Sequence, residues 1–207
     1  DQGSLGQKTR RGIYQKISKD IHVLDLHTKE YRLSEAKVDD GVKDILRERD
    51  WAKKLAGLHS GTHPQAQFLW AVFRDVFHYC ALNLQLIADN ARDLDFAVRW
   101  GFGWDNGPLE IWQEAGWQQV AGWISADIAA GKAMADMPLP GWVTDPLRTS
   151  VHDFQGSYAP LQHTQQPRSA LPVYQRQLFP DRLLGEERAY GKTVFETDEV
   201  RLWHMGD

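Results

Sequence analysis

Cys80 is the only cysteine in the 207 residues, so no disulfide can close within the chain and no cysteine cluster can hold zinc. A reducing compartment is the simpler expectation, and with it a cytoplasmic location. Long apolar runs are also missing: charge breaks each one well before the roughly 18 residues that a membrane span needs. The N-terminus has no signal-peptide profile. Nor does one sign of charge dominate, since 24 Lys and Arg stand against 28 Asp and Glu, for a net charge of −4. A nucleic-acid surface is therefore not expected, and the short cluster Lys8, Arg10 and Arg11 reads as a solvated turn. An initiator methionine is absent too, and a chain that opens on Asp1 and stops at Asp207 straight after "VRLWHM" reads as part of something longer.

What the sequence does contain is a globular composition, 42% apolar and 25% charged, at a length that can bury a real core. Two short β-favouring stretches come first: Ile21 to Leu26, then, beyond the polar turn "HTKE", Tyr31 and Leu33; they predict a small hairpin. From Ser34 the period changes, and Val38, Val42, Ile45, Leu46, Trp51, Leu55 and Leu58 fall at helical spacings. Pro64 suits the first turn of the next helix, "PQAQFLWAVFRDVFHYCALNLQLIADNA", whose apolar stripe is too wide for a lone surface helix. It should be the spine of the core. A shorter helix, "ARDLDFAVRWG", is expected to stop at Gly101, and two more follow, "LEIWQEAG" and "WQQVAGWISADIAAGKAM". Beyond Met134, prolines and weak periodicity predict an extended linker over residues 148 to 180, in which "ALPVYQRQLF" could lie as a strand or packed arm. "KTVFETDEVRLWHM" reads as a strand pair.

Several patterns have both a chemical and a structural reading. "GFGWDNG" has spaced glycines but follows a helical pattern rather than a strand, which fails the context of a dinucleotide loop. Asp89, Asp93 and Asp95 suit capping and ion pairing better than a metal, and no metal ligands are assigned. His78, one turn after Arg74 and Asp75, either lines a site or is a hydrogen-bonded core histidine. Ser157, Ser169, His152 and His163 lie in the linker-like tail with no third partner in view for a nucleophilic triad. The tryptophans Trp100, Trp104, Trp112 and Trp117, on short helices joined by tight turns, either fill a core or form a carbohydrate platform.

The stretch "RDLDFAVRWGFGWDNGPLEIWQEAGW" resembles the D-x-A-x-x-x-G-x-G-x-x-x-G-P-x-x-x-x-x-x-x-G signature of the helical C-terminal domain of 3-hydroxyacyl-CoA dehydrogenases, through Asp95, Ala97, Gly101, Gly103, Gly107, Pro108 and Gly116. "LGQKTRRGIY" is similar to that family's L-G-x-K-T-G-x-G-F-Y segment through Leu5, Gly6, Lys8, Thr9, Gly12 and Tyr14, with Arg10 in place of glycine and Ile13 in place of phenylalanine. "SALPVYQRQLFPDRLLGE" and "GKTVFETDEVRLWHMGD" look like the connector and first strand of an enoyl-CoA hydratase module.

The resemblance implies a mainly α fold of the 6-phosphogluconate dehydrogenase C-terminal-like kind, with a small N-terminal β-hairpin and an irregular C-terminal linker. Residues 1–34 would follow a first helical repeat, 35–147 would form a second, and 148–207 would be the linker and the start of a hydratase-like module. The parent would be a bifunctional fatty-acid β-oxidation enzyme that oxidises L-3-hydroxyacyl-CoA with NAD, a histidine and a glutamate taking the hydroxyl proton while hydride passes to the cofactor. Those two residues and the NAD-binding Rossmann domain belong upstream in the family and match no position here. No catalytic or cofactor-binding residue is therefore assigned, and NAD would be bound by the parent only.

The partners implied are acyl-CoA, the upstream Rossmann domain, the downstream hydratase module and a second copy in a homo-oligomer. Two roles remain open for this part. A groove lined by Arg74, His78 and Arg99 would mean substrate binding. An exposed cluster of Trp or Phe would mean a structural bridging or oligomerisation module.

Overall fold

The computed structural model describes residues 6–34, 37–153, 155–167, 192–197 and 201–204. The chain forms two compact units, Asp1–Lys43 and Asp44–Asp207. The expected arm at "ALPVYQRQLF" and the hydratase-like connector lie outside the described residues.

In the first unit the predicted hairpin has a third strand. β1 (Tyr14–Ile17), β2 (Asp20–Leu24) and β3 (Tyr31–Leu33) form an antiparallel sheet in that order, with Tyr14 opposite Val23 and Val23 opposite Arg32. Ser18 takes a left-handed backbone (φ 57°) in the two-residue turn between β1 and β2. The "HTKE" turn is held by Asp25, whose Oδ1 accepts the N–H groups of His27 and Thr28.

Helices α1 (Asp40–Arg47) and α2 (Trp51–Ser60) divide what the period suggested was one helix. The break is chemical. Glu48 accepts the backbone N–H groups of Arg49 and Asp50, and Asp50 caps α2 by accepting those of Ala52 and Lys53. Helix α3 (Pro64–Ile87) is the expected spine, with Pro64 in its first turn and His63 as its N-cap. Helix α4 (Ala91–Phe102) runs one residue past Gly101 and stops at Gly103, whose φ of 69° is the left-handed cap. Helices α5 (Pro108–Glu114) and α6 (Trp117–Ala129) follow, joined by Ala115 and Gly116, the latter at φ 101°. A one-turn helix, α7, spans Gly141–Thr144.

Ring contacts run through this second unit from α2 to the tail. Trp51 meets Phe73, Phe73 meets Phe77, and Phe77 stacks on Trp112. Trp112 stacks on Trp117 at 4.4 Å, and the series continues through Trp142 to Tyr158. Each buried indole N–H has an acceptor: Trp112 donates to the Trp117 carbonyl and Trp117 to that of Val143. Two of the four tryptophans singled out in the sequence are therefore core, whereas Trp100 is 55% exposed.

Residues 148–167, read as linker, are packed instead. Val151, Tyr158 and Ala159 are buried, and β4 (Ser157–Ala159) pairs with β5 (Thr164–Gln166). Gln113 of α5 makes this possible without regular secondary structure, accepting the N–H groups of Val151 and His152 and donating to the His152 carbonyl. The strand pair near the C-terminus is present as β6 (Lys192–Glu196) against β7 (Arg201–His204).

Candidate functional site

The densest polar cluster in the second unit is built around Asp95, on the inner face of α4 and fully buried. Its Oδ1 accepts the Leu109 N–H at 2.8 Å and its Oδ2 the Glu110 N–H at 3.2 Å, so a side chain from α4 caps the start of α5. A Cβ at Gly107 would lie 2.2 Å from the Asp95 Cβ, which explains why glycine precedes Pro108. Glu110 closes the cap from the other side, accepting the Gly107 N–H at 2.6 Å and a bond from Arg99 at 3.2 Å.

The tail completes the cluster. His152 Nε2 lies 2.8 Å from Asp95 Oδ2, and its Nδ1 lies 2.8 Å from Ser157 Oγ. The third partner that the sequence did not reveal for Ser157 and His152 is thus Asp95, in the order of a nucleophilic triad. No periodicity marks the tail, so only the spacing of Asp95, Gly107 and Pro108 could have pointed to it. The surroundings do not suit attack on a substrate, because Ser157 is 2% exposed and the carboxylate is committed to two backbone donors. Burial pushes the Asp95 carboxyl above its ordinary range, with His152 and the two N–H groups opposing. Burial and the neighbouring Asp95 do the same to Glu110, opposed by the Gly107 N–H and Arg99.

Arg74 and His78 belong elsewhere. Arg74 forms a two-pronged pair with Asp75 (2.9 and 3.0 Å) and reaches Asp127 at 3.2 Å. Asp127 also accepts the Trp70 indole N–H at 2.8 Å. Burial works against the charged Asp127, but bonds from Trp70 and Arg74 outweigh it and hold the carboxyl below its ordinary range. His59 stacks on Trp123 at 4.4 Å beside this cluster, and burial lowers its pKa. His78 is 2% exposed, with Nε2 on the Met137 carbonyl at 2.8 Å. The structure therefore brings Arg99 to Glu110, and places Arg74 and His78 against other partners.

A groove of about 810 Å³ opens between α1, α2 and α5, lined by residues including Trp51, Lys54, Asp105 and Gln113. None of Arg74, His78, Arg99 or Ser157 lines it. Asp89, Asp93 and Asp95 do not assemble, and among the described residues no group of three or more His, Cys, Asp or Glu could hold a metal. NAD does not fit the described residues. Every strand pair among them is antiparallel, so they hold no parallel crossover unit, and "GFGWDNG" closes a helix instead of leaving a strand. No helix among the described residues is long and apolar enough to cross a membrane.

The chain is distantly related to a probable 3-hydroxyacyl-CoA dehydrogenase of Bacillus subtilis (strain 168), at 29% identity over 147 residues, which is 71% of this chain. The match spans 18% of that protein's length. No protein-family model and no solved structure matches the chain.

Proposed function

We propose that this chain is the helical, assembly-side part of an NAD-dependent 3-hydroxyacyl-CoA dehydrogenase of fatty-acid β-oxidation, carrying none of the catalytic groups itself. Support comes first from the Asp95–Gly107–Pro108 unit, which gives the signature a physical meaning as one helix capping the next, and from the distant dehydrogenase relative. In this reading NAD and the proton-accepting pair belong to a Rossmann domain upstream, the tail beyond residue 148 leads to a hydratase-like module, and the whole protein works in the cytoplasm.

One observation favours assembly over substrate contact. Arg74, His78 and Arg99 are each at most 7% exposed and have protein partners, so binding an acyl-CoA there would first break the ion pairs of the two arginines or the hydrogen bond from His78 to the Met137 carbonyl. By contrast Phe68, Trp100 and Phe102 are exposed, as a contact surface requires. Deleting this segment from its gene is expected to abolish NADH formation from an L-3-hydroxyacyl-CoA in cell extract. Undiminished activity in the deletion strain would overturn the proposal.

A further inference from the structure

Asn106 is the only one of the three asparagines in the chain that a glycine follows. That dipeptide is the one most open to deamidation. The glycine nitrogen, with no side chain to shield it, attacks the asparagine Cγ and closes a five-membered succinimide. The proton it gives up ends on the departing ammonia. Water then opens the ring at either carbonyl, leaving aspartate or isoaspartate, so one water is consumed for each ammonia released.

The two halves of this reaction are under opposite restraint. The Asn106 side chain is the loose half: it is half-buried, borders the groove between α1, α2 and α5, and makes no hydrogen bond among the described residues. Gly107 is the locked half. Its N–H donates to Glu110 Oε2 at 2.6 Å, and Arg99 holds the other oxygen of that carboxylate at 3.2 Å. The Gly107 carbonyl accepts the Ile111 N–H, and Asp95 lies so close that a Cβ at Gly107 would sit 2.2 Å from it. To reach the Asn106 Cγ, the Gly107 nitrogen must swing about the Asn106 Cα–C bond, and that turn breaks the bond to Glu110. A hydrogen bond to a carboxylate is among the stronger ones.

We infer that Asn106–Gly107 is a deamidation site that Glu110 holds shut by fixing the Gly107 N–H on its own carboxylate. Glu110 then has a duty beyond capping α5. An isoaspartate at position 106 adds a methylene to the main chain between α4 and α5, where Asp95 and Glu110 leave Gly107 no room. Opening of the cap becomes irreversible once the site has reacted. The inference does not rest on the dehydrogenase reading and would stand if that reading failed.

Peptide mapping by mass spectrometry of the 207-residue chain, kept for weeks in warm neutral buffer, tests it. The wild type in native buffer is compared with the wild type in urea and with Glu110→Ala, Glu110→Asp and Gln113→Ala. Asn106 should convert slowly in the native wild type and at least about tenfold faster in urea, where local protection is gone. Glu110→Ala should speed conversion in the folded chain about tenfold to a hundredfold, the factor expected from losing a hydrogen bond to a charged group. Glu110→Asp keeps a charge beside Arg99 but stops short of the Gly107 N–H. It should accelerate conversion as well, and it carries the test if Glu110→Ala does not fold. Gln113→Ala loosens the tail but leaves this bond in place, so it should match the wild type. A native wild type that converts as fast as the urea sample, Glu110 variants no faster than the wild type, or Gln113→Ala as fast as they are would each overturn the inference.

Discussion

Gly107 and Gly101 occupy the same signature for different reasons. A side chain at Gly107 would collide with Asp95, whereas a Cβ at Gly101 meets nothing within 4 Å and stands in a helix. Gly107→Ala should therefore cost about 3 kcal/mol or more in urea denaturation, by pushing Asp95 off the N–H groups of α5. Gly101→Ala should instead raise stability by up to about 1 kcal/mol, since alanine suits a helix better. The spacing made both glycines visible, but not that Gly107, at the start of α5, lies against Asp95 of α4 while Gly101 faces open space. Cys80 is a second case: burial, with Asp95 nearby, pushes its thiol up to about 12. A thiol reagent at neutral pH should modify it only at the rate of global unfolding. Rapid labelling of the folded chain would contradict the burial described here.

Among elements, the long helix was legible because twenty-four residues repeat one period between an N-terminal proline and a C-cap. The break between α1 and α2 was not, since the apolar spacing continues across it and only the capping carboxylates of Glu48 and Asp50 interrupt it. The tail from Val151 to Gln166 was the largest misreading. It is held by side-chain bonds to Gln113 and Asp95, interactions between residues 38 to 57 positions apart that leave no local pattern. Gln113→Ala removes three of those bonds and should cost about 1–3 kcal/mol. Hydrogen exchange should then quicken in β4 and β5 well before it does in α3. Equal protection in the variant would mean that Gln113 does not hold the tail.

At the scale of the whole molecule, pH reports how far burial and pairing reach. His59 has a folded pKa below its usual 6.5, so its contribution is complete above that value and is lost as pH falls below it. Asp127 is likewise lowered from 3.8, and its contribution is lost only under more acid conditions, as pH falls through the folded value. Asp95 and Glu110, both raised, act in the opposite sense: they favour the fold below the ordinary carboxylate range and lose that contribution as pH rises through their folded values. Replacing His59 by Gln should flatten the fall in melting temperature between about pH 7 and pH 5. An unchanged slope would show that the histidine stacked on Trp123 is free to charge.

In the proposed reading the charged groups of this chain hold helices together rather than bind substrate or cofactor. Calorimetric titration of the purified chain with a 3-ketoacyl-CoA, and separately with NAD, tests that claim most directly. No heat of binding from either ligand at millimolar concentration is the predicted result. Saturable binding of the thioester would contradict it, showing that Arg74, His78 or Arg99 gives up its present partner to hold substrate.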